Sequence, residues 1–498
     1  MQPPEVARNR ARAAVAELRG VVPSLLVVEG IQLDSALEQQ LFFAFRDQLP
    51  LDSAGSTAGV LRGHAVAVAR ALAAAAMSLA PRGPARVEAG RVAVLVRESI
   101  HLEVLDRIDG ELTRLGALPT VRIVTGRAAA RGAASRGRVS RGDDLRLSEL
   151  LGPSLLRSYA TFHGRLLASQ GRTRRALSSV LDSDEVSLAV RVVVSEMPRI
   201  VLGALALASA SARLRPSLFA AFDEVGTWAR ILPAVARAAR IPSLDIPHAE
   251  AAVTSAIVGA GYDRMAVYGS RARSVLLAAG ISEHRIVEVG APRFDPLIAD
   301  AHTGEPSTAP AGRVVYAAQY PAGALTEEVM AASYAAALAV ATALRSELVV
   351  RLHPADAHGT MARVISRHPA LQGVAVEVEG RKALVELLRG ARVMVTAWSN
   401  SVFEAALLGV PALAVIPPGV RPPVDFVADG LAISARTPEE AAAAAEALSE
   451  GSAAKEAVAR ARRALDAHIG PLDGRASERV ARLMLETIGR APVEDGAA

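Results

Sequence analysis

Short unbroken apolar runs recur along most of the chain, separated by longer stretches in which apolar residues return every three or four positions. The runs at 92–96, 121–124, 217–222, 241–248, 265–268 and 286–289 read as buried strands, and the periodic segments at 102–115 and 271–279 as helices. From 314 the rhythm starts afresh. Strands are predicted at 314–317, 348–352, 374–378, 393–396 and 431–434, with helices at 325–344, 357–366, 382–388 and 438–448; after 396 a polar turn, Ser399-Asn400-Ser401, leads to a further helix and a further buried strand ending at Val415. Gly409 is placed to end one helix, and Pro411 to start the next strand from a fixed φ. Uninterrupted apolar strands alternating with helices predict parallel sheets covered on both faces, an α/β fold.

The first residues are less regular. A charged helix is expected at 6–19, a strand at 24–28 ending in Glu29-Gly30, and helices at about 33–48 and 61–79. Pro81-Arg-Gly-Pro84 breaks the pattern. Helical stretches run to about 214, although 188–194 fits helix or strand equally well. The composition of 300–311 is that of a linker. The expected division is an N-terminal helical and α/β extension (1–84), a first α/β domain (85–300), a linker (301–312) and a second α/β domain (313–498). Two such units on one linker face each other across a cleft, and a last helix at 475–488 is placed to cross back to the first.

Composition narrows the chemistry. A chain of 498 residues has ample core for two or three domains. It contains no cysteine, which excludes disulfides, thiolate metal sites and cysteine nucleophiles. The net charge of +5 is carried almost wholly by arginine, since Lys382 and Lys455 are the only lysines, and neither completes a phosphate-binding P-loop. Aromatic residues make up 3% of the chain, which argues against a base-stacking surface, so no nucleic-acid partner is expected. The first residues lack the basic start and apolar core of a secretion signal, and no apolar run is strong enough to span a bilayer. The expected location is the cytoplasm. The arginine-rich stretch 127–146 reads as a solvated loop or as a basic lip for an acidic polymer or the inner membrane face, a peripheral contact left open.

Polar residues gather where the predicted strands end. The first unit has Asp223-Glu224, His248-Ala249-Glu250, Gly269-Ser270 and Gly290-Ala-Pro-Arg-Phe-Asp295. The second has Gln319-Tyr320, Arg351-Leu-His353-Pro354 and Ser399-Asn400-Ser401, the last at a helix start where backbone N–H groups and the dipole favour an anion. In parallel sheets such strand ends converge on one crevice.

Residues 218–430 resemble the GT-B glycosyltransferases of surface-polymer assembly, close to capsule sugar transferases, polysialyltransferase-like enzymes and CDP-glycerol-using polymerases. The carriers are His248-Ala249 for a His-Gly turn, Gly290-Ala-Pro-Arg-Phe-Asp295, Arg351-Leu-His353-Pro354, and Ser399-Asn-Ser401 leading to Glu404-Ala405 and Gly409-Val-Pro411. The resemblance implies a metal-independent transfer of a sugar or sugar-like unit from a CMP-, CDP- or UDP-linked donor to a growing cell-surface glycan or lipid-linked acceptor, with no cofactor. His353, Ser399, Asn400, Ser401, Arg351 and Gln319 would hold the donor phosphates. Glu404 would reach the ribose and Trp398 pack beside the base, or lie in the core. His248 with Glu250 would supply the base for the attacking hydroxyl. Ala249 and Ala397-Trp398 depart from the family pattern. A second resemblance is His248-Ala-Glu250-Ala to the His-x-Glu-Ala-Gly turn of UDP-N-acetylglucosamine 2-epimerases, which share the fold. Ala252 stands near the expected glycine, and the following Pro-Glu-Glu is absent. A third reading is a GT-B scaffold that binds glycan without catalysis.

Overall fold

In the computed structural model, residues 4–47, 90–125, 144–146, 153–222, 226, 228–250, 261–303, 312–319, 325–353, 356, 359–367, 376–379, 383–449 and 451–488 are described. The expected helix at 61–79, most of the arginine-rich stretch and the body of the 301–312 linker lie outside them. So do Asp223, Glu224, Tyr320 and Pro354.

The chain opens with helices Pro4–Val21 and Asp34–Asp47, which pack on each other around a small hairpin, β1 (Val27–Val28) and β2 (Ile31–Gln32). The single strand expected at 24–28 is replaced by a 3-10 turn at Pro23–Leu25 and this hairpin. The cause is local: Pro23 fixes the turn, and Glu29 and Gly30 both take positive φ, folding the chain back at once.

Seven parallel strands build the first sheet: β3 (Val92–Val96), β4 (Val121–Val124), β5 (Asp144–Arg146), β6 (Leu218–Ala221), β7 (Ser243–Asp245), β8 (Arg264–Val267) and β9 (Ile286–Glu288). Their order is β5-β4-β3-β6-β7-β8-β9. The central strands are buried on both faces, as their unbroken Val, Leu and Ala runs require. The ambiguous 188–194 segment is helical, inside the long helix Ser183–Leu214. Its start is set by a capping box in which Asp182 Oδ1 accepts from Glu185 N at 2.9 Å and the Glu185 carboxylate accepts from Asp182 N at 3.4 Å. By length and composition this helix could cross a bilayer, but most of its apolar stretch is buried in the protein core.

The second sheet has six parallel strands, β10 (Arg313–Ala317), β11 (Glu347–Arg351), β12 (Val376–Glu379), β13 (Ala391–Thr396), β14 (Ala412–Val415) and β15 (Ile433–Ala435), in the order β12-β11-β10-β13-β14-β15. Both sheets are therefore doubly wound: the order reverses between β3 and β6 in one, and between β10 and β13 in the other, opening a crevice beyond the strand ends. One helix of this unit differs from expectation at its start, and the last one crosses back to the first unit as expected. The helix predicted from 357 begins at Thr360, because the Asp356 carboxylate accepts from Thr360 N and Met361 N, both at 2.9 Å. The final helix, Ala476–Ile488, lays Val480, Ala481, Leu483 and Met484 into a core shared with β3, β6 and the Ser99–Arg114 helix of the first unit.

The turn after β9 fastens that helix. Asp295 is buried, and its two carboxylate oxygens accept from Ala476 N at 3.0 Å and Ser477 N at 2.7 Å, capping the helix from a distant part of the chain. Arg479 donates through Nε to the Val289 carbonyl at 2.8 Å. Gly290 has φ +79°, and a Cβ there would meet the Arg479 guanidinium at 2.9 Å. Asp295→Ala removes the cap and strands two buried N–H groups, so it should lower stability by roughly 2–4 kcal/mol, with Asp295→Asn costing less. Urea denaturation of the full chain tests this. A cost no larger than that of a surface substitution would mean the apolar face alone holds the helix.

Candidate functional site

At the second sheet's reversal point, two hydrogen bonds close the floor of the crevice. Thr396 Oγ1 donates to the Ala317 carbonyl at 3.0 Å, and Trp398 N donates to Gln319 Oε1 at 3.0 Å. Gln319 thus sits at the mouth between β10 and β13. The Trp398 ring is in the core of this domain, 8% exposed, so packing rather than a base-stacking surface accounts for it.

The helix Ser401–Leu408 starts at this mouth. Ser399 Oγ accepts from Ser401 N at 3.2 Å, while Asn400, at the cap position, makes no side-chain cap. The helix ends on Gly409 in the left-handed region, as the sequence predicts. Two buried oxygens on its first turn have no hydrogen-bond partner: Ser401 Oγ and Glu404 Oε2. They stand three residues apart, on one face. The other oxygen, Glu404 Oε1, accepts from Arg293 NH2 at 2.7 Å. Arg293 comes from the turn after β9, so this pair joins the two units, and its guanidinium also lies 4.7 Å from the Phe294 ring.

His353 follows β11, at the carboxyl end of the same sheet, close enough to Arg293 and Arg351 to feel their charge. Burial pushes its pKa below the ordinary histidine value. Glu98 and Asp356 oppose the shift, and Arg351 and Arg293 reinforce it. Glu98 belongs to the turn after β3, so His353 senses charge from across the cleft. As a neutral imidazole it offers one N–H donor. Arg351 donates to the carbonyl of Leu352, the next residue.

On the first unit's side, the candidate base His248 is half-buried after β7. Its neighbour is a residue that sequence reading passed over. His101 lies on the first turn of the Ser99–Arg114 helix, at the β3/β6 reversal point. It stacks on Phe222 with ring centroids 4.7 Å apart, and meets His248 edge-on at 5.5 Å. His101 is 2% exposed and neither ring nitrogen has a hydrogen-bond partner. Burial, then His248 and then Arg97, push its pKa down to about 2. It is held neutral. The signal available in the sequence was an Arg-x-x-x-His spacing across the end of a buried strand, Arg97 to His101, and nothing in the pattern distinguished it from an ordinary helix start.

Glu250 lies elsewhere than its near neighbour. Its side chain is fully enclosed, with Oε1 accepting from Arg271 NH1 at 3.1 Å and Oε2 lying 3.3 Å from His468 Nδ1. Arg271 Nε also donates to Asp429 Oδ2 at 2.8 Å, and His468 Nε2 stands 3.4 Å from the same oxygen. Two carboxylates, an arginine and a histidine thus form a seam between the units. The two predicted catalytic residues are separated by the structure, with His248 grouped with His101 and Glu250 with Arg271 and His468. Among the described residues, no group of three or more His, Asp or Glu side chains is arranged to hold a metal ion.

Neutral burial of His101 has a pH consequence. Between pH 6.5, the ordinary value, and about 2, the unfolded chain binds a proton at this site that the folded one refuses. Stability therefore rises with pH through this window and falls as pH drops below 6.5, by up to about 1.4 kcal/mol per pH unit from this residue alone. His101→Leu should flatten that slope in denaturation curves taken from pH 7 to pH 4. An unchanged slope would show that the ring is hydrated in solution.

Residues 263–485 match the model of the UDP-N-acetylglucosamine 2-epimerase family. The sequence has no significant match among curated proteins. Among solved structures, S. aureus MnaA in complex with UDP superposes with a TM-score of 0.52 at 15% identity, covering 82% of this chain and 100% of that one. A Listeria monocytogenes protein designated a UDP-N-acetylglucosamine 2-epimerase by inference gives 0.51 at 12% identity, covering 83% of this chain and 100% of that one. At such identities the likeness is one of fold: this chain has a GT-B-like architecture of two parallel-sheet α/β units.

Proposed function

We propose that this protein is a nucleotide-sugar enzyme that binds a UDP-linked N-acetylhexosamine over β10 and β13 and inverts the sugar at C2, as a 2-epimerase does. The observation that carries the reading is the pair of unpartnered buried oxygens, Ser401 Oγ and Glu404 Oε2, at a helix start above the reversal point. The helix lies within the segment that matches the epimerase family. Ser401 suits a phosphate oxygen, and Glu404 Oε2 suits a ribose hydroxyl that needs an acceptor.

Inversion at C2 requires the C2–H bond to break. That carbon is not acidic by itself, so departure of the diphosphate from C1 must accompany proton removal, giving a C1–C2 double bond and free nucleotide. Return of the proton on the other face, with recapture of the diphosphate at C1, completes the exchange. The helix N–H groups, Ser401 and neutral His353 would take up charge on the departing diphosphate. We assign the proton to His248, which is half-buried at a strand end. Glu250, enclosed by Arg271 and His468, is assigned to holding the turn that carries His248.

Glycosyl transfer also begins with departure of the diphosphate, but the C1 centre is then captured by an acceptor hydroxyl. It is favoured by one observation: the His-x-Glu-Ala turn departs from the epimerase pattern at Ala252 and lacks the Pro-Glu-Glu beyond it. A histidine base at this place suits an acceptor hydroxyl equally well, and the acceptor would be a surface glycan or its lipid-linked precursor.

Incubation with UDP-N-acetylglucosamine in D2O separates the two by NMR. The 2-epimer carrying deuterium at C2 supports epimerisation. UDP released only when a glycan acceptor is added, with no epimer, supports transfer. Neither product, together with no UDP binding, ends the proposal. Ser401→Ala and Glu404→Gln should each weaken UDP by about 10–100-fold in calorimetry, the range for a lost hydrogen bond to a charged group.

A further inference from the structure

A cavity of about 280 Å³ lies between the two N-terminal helices and the helix Trp228–Ala238, and shares no lining residue with the crevice over β10 and β13. Five arginines line it, Arg8, Arg12, Arg19, Arg230 and Arg237, against two acids, Asp34 and Glu38. Both acids are already engaged: Arg12 Nε donates to Glu38 Oε1 at 3.1 Å, and Arg19 Nε to Asp34 Oδ1 at 2.8 Å. The lining itself is thus predominantly basic, with five arginines to two acids.

That excess is enclosed in part. Arg230 is 8% exposed, and its guanidinium pKa falls to about 10, chiefly through burial, with Arg285 and Arg8 adding repulsion against the pull of Glu38 and Tyr262. Arg8 is shifted the same way by burial and by Arg12. Its Nε is buried with no hydrogen-bond partner. A basic lining with one unsatisfied buried N–H donor, on Arg8, favours an anion in the cavity.

We infer that this cavity is a binding site for a compact phosphate-bearing anion, separate from the nucleotide crevice. Guanidinium groups converging from two helices match phosphate oxygens with paired N–H donors. The volume is at the lower limit for small-molecule sites, which fits inorganic phosphate or a phosphorylated monosaccharide better than a nucleotide sugar. A lipid headgroup offers the same phosphate at a membrane surface. Glu38 and Asp34 would act as hydrogen-bonding rims, orienting Arg12 and Arg19.

The test is calorimetric titration of the full chain with inorganic phosphate and with glucose 1-phosphate, using wild type, Arg8→Gln, Arg237→Gln and Ser401→Ala. Arg237 is exposed on its helix, so its replacement should leave the fold intact, and circular dichroism melts check this. The expected result is binding by wild type and by Ser401→Ala, with each arginine change weakening it about tenfold or more. Co-sedimentation with phosphatidic acid vesicles that both arginine changes abolish, alongside weak binding of the free phosphates, would support the site and assign it to a lipid headgroup. Phosphate binding lost in Ser401→Ala but retained by both arginine variants would place the anion in the nucleotide crevice and overturn the inference. So would wild type that binds neither phosphate nor vesicles.

Discussion

The carboxylate of Asp295 governs how the two halves of this molecule meet. It caps the final helix from the far side of the second domain, across 181 residues of sequence. The helix in turn lies on the first sheet. Two residues before Asp295, Arg293 reaches the Glu404 carboxylate beside the crevice over β10 and β13. One short turn therefore sets both the closure of the first core and the position of the Glu404 carboxylate in the second domain. The buried carboxylate is well compensated, accepting two backbone N–H groups that no other part of the helix could satisfy.

The cleft is organised by burial more than by net charge. His353 and His101 are both held neutral, one on each side, so each can donate or accept a single hydrogen bond without carrying a charge into the low-dielectric interior. Ion pairs tie its walls together: Arg293 with Glu404, and Arg271 with both Glu250 and Asp429. On the floor, Ser401 Oγ and Glu404 Oε2 are buried without a hydrogen-bond partner. Pairing of this kind adds little to stability but leaves few arrangements open to the cleft walls.

Much of this was legible in the sequence. The strands were readable because they are buried on both faces and so contain no polar interruption, as in Val92–Val96 and Ala412–Val415. Gly409 marked its helix end, since only a left-handed position there demands glycine. Segment 188–194 could not be resolved because β-branched runs fit either period, and the capping box that decides it stands several residues earlier. Candidate site residues were readable because they sit at strand ends, as His353 after β11 and His248 after β7 do. Their partners were not: Arg293 and Glu404 are 111 residues apart, and no local period or composition joins them. For the same reason Glu250 read as a partner of His248, although His468 and Arg271 enclose it, while of the two places open to Trp398, beside the base or in the core, the ring takes the core.

The placement of the Ala476–Ile488 helix bears on synthesis at the ribosome. The β3–β6 face of the first sheet needs Val480, Leu483 and Met484 to cover it, and the whole second domain is translated in between. During elongation the first domain must wait with an apolar face uncovered, while the second can complete its own core. Order of emergence and order of consolidation are thus reversed. A nascent chain of this protein would rely on chaperones for its older half rather than its newer one.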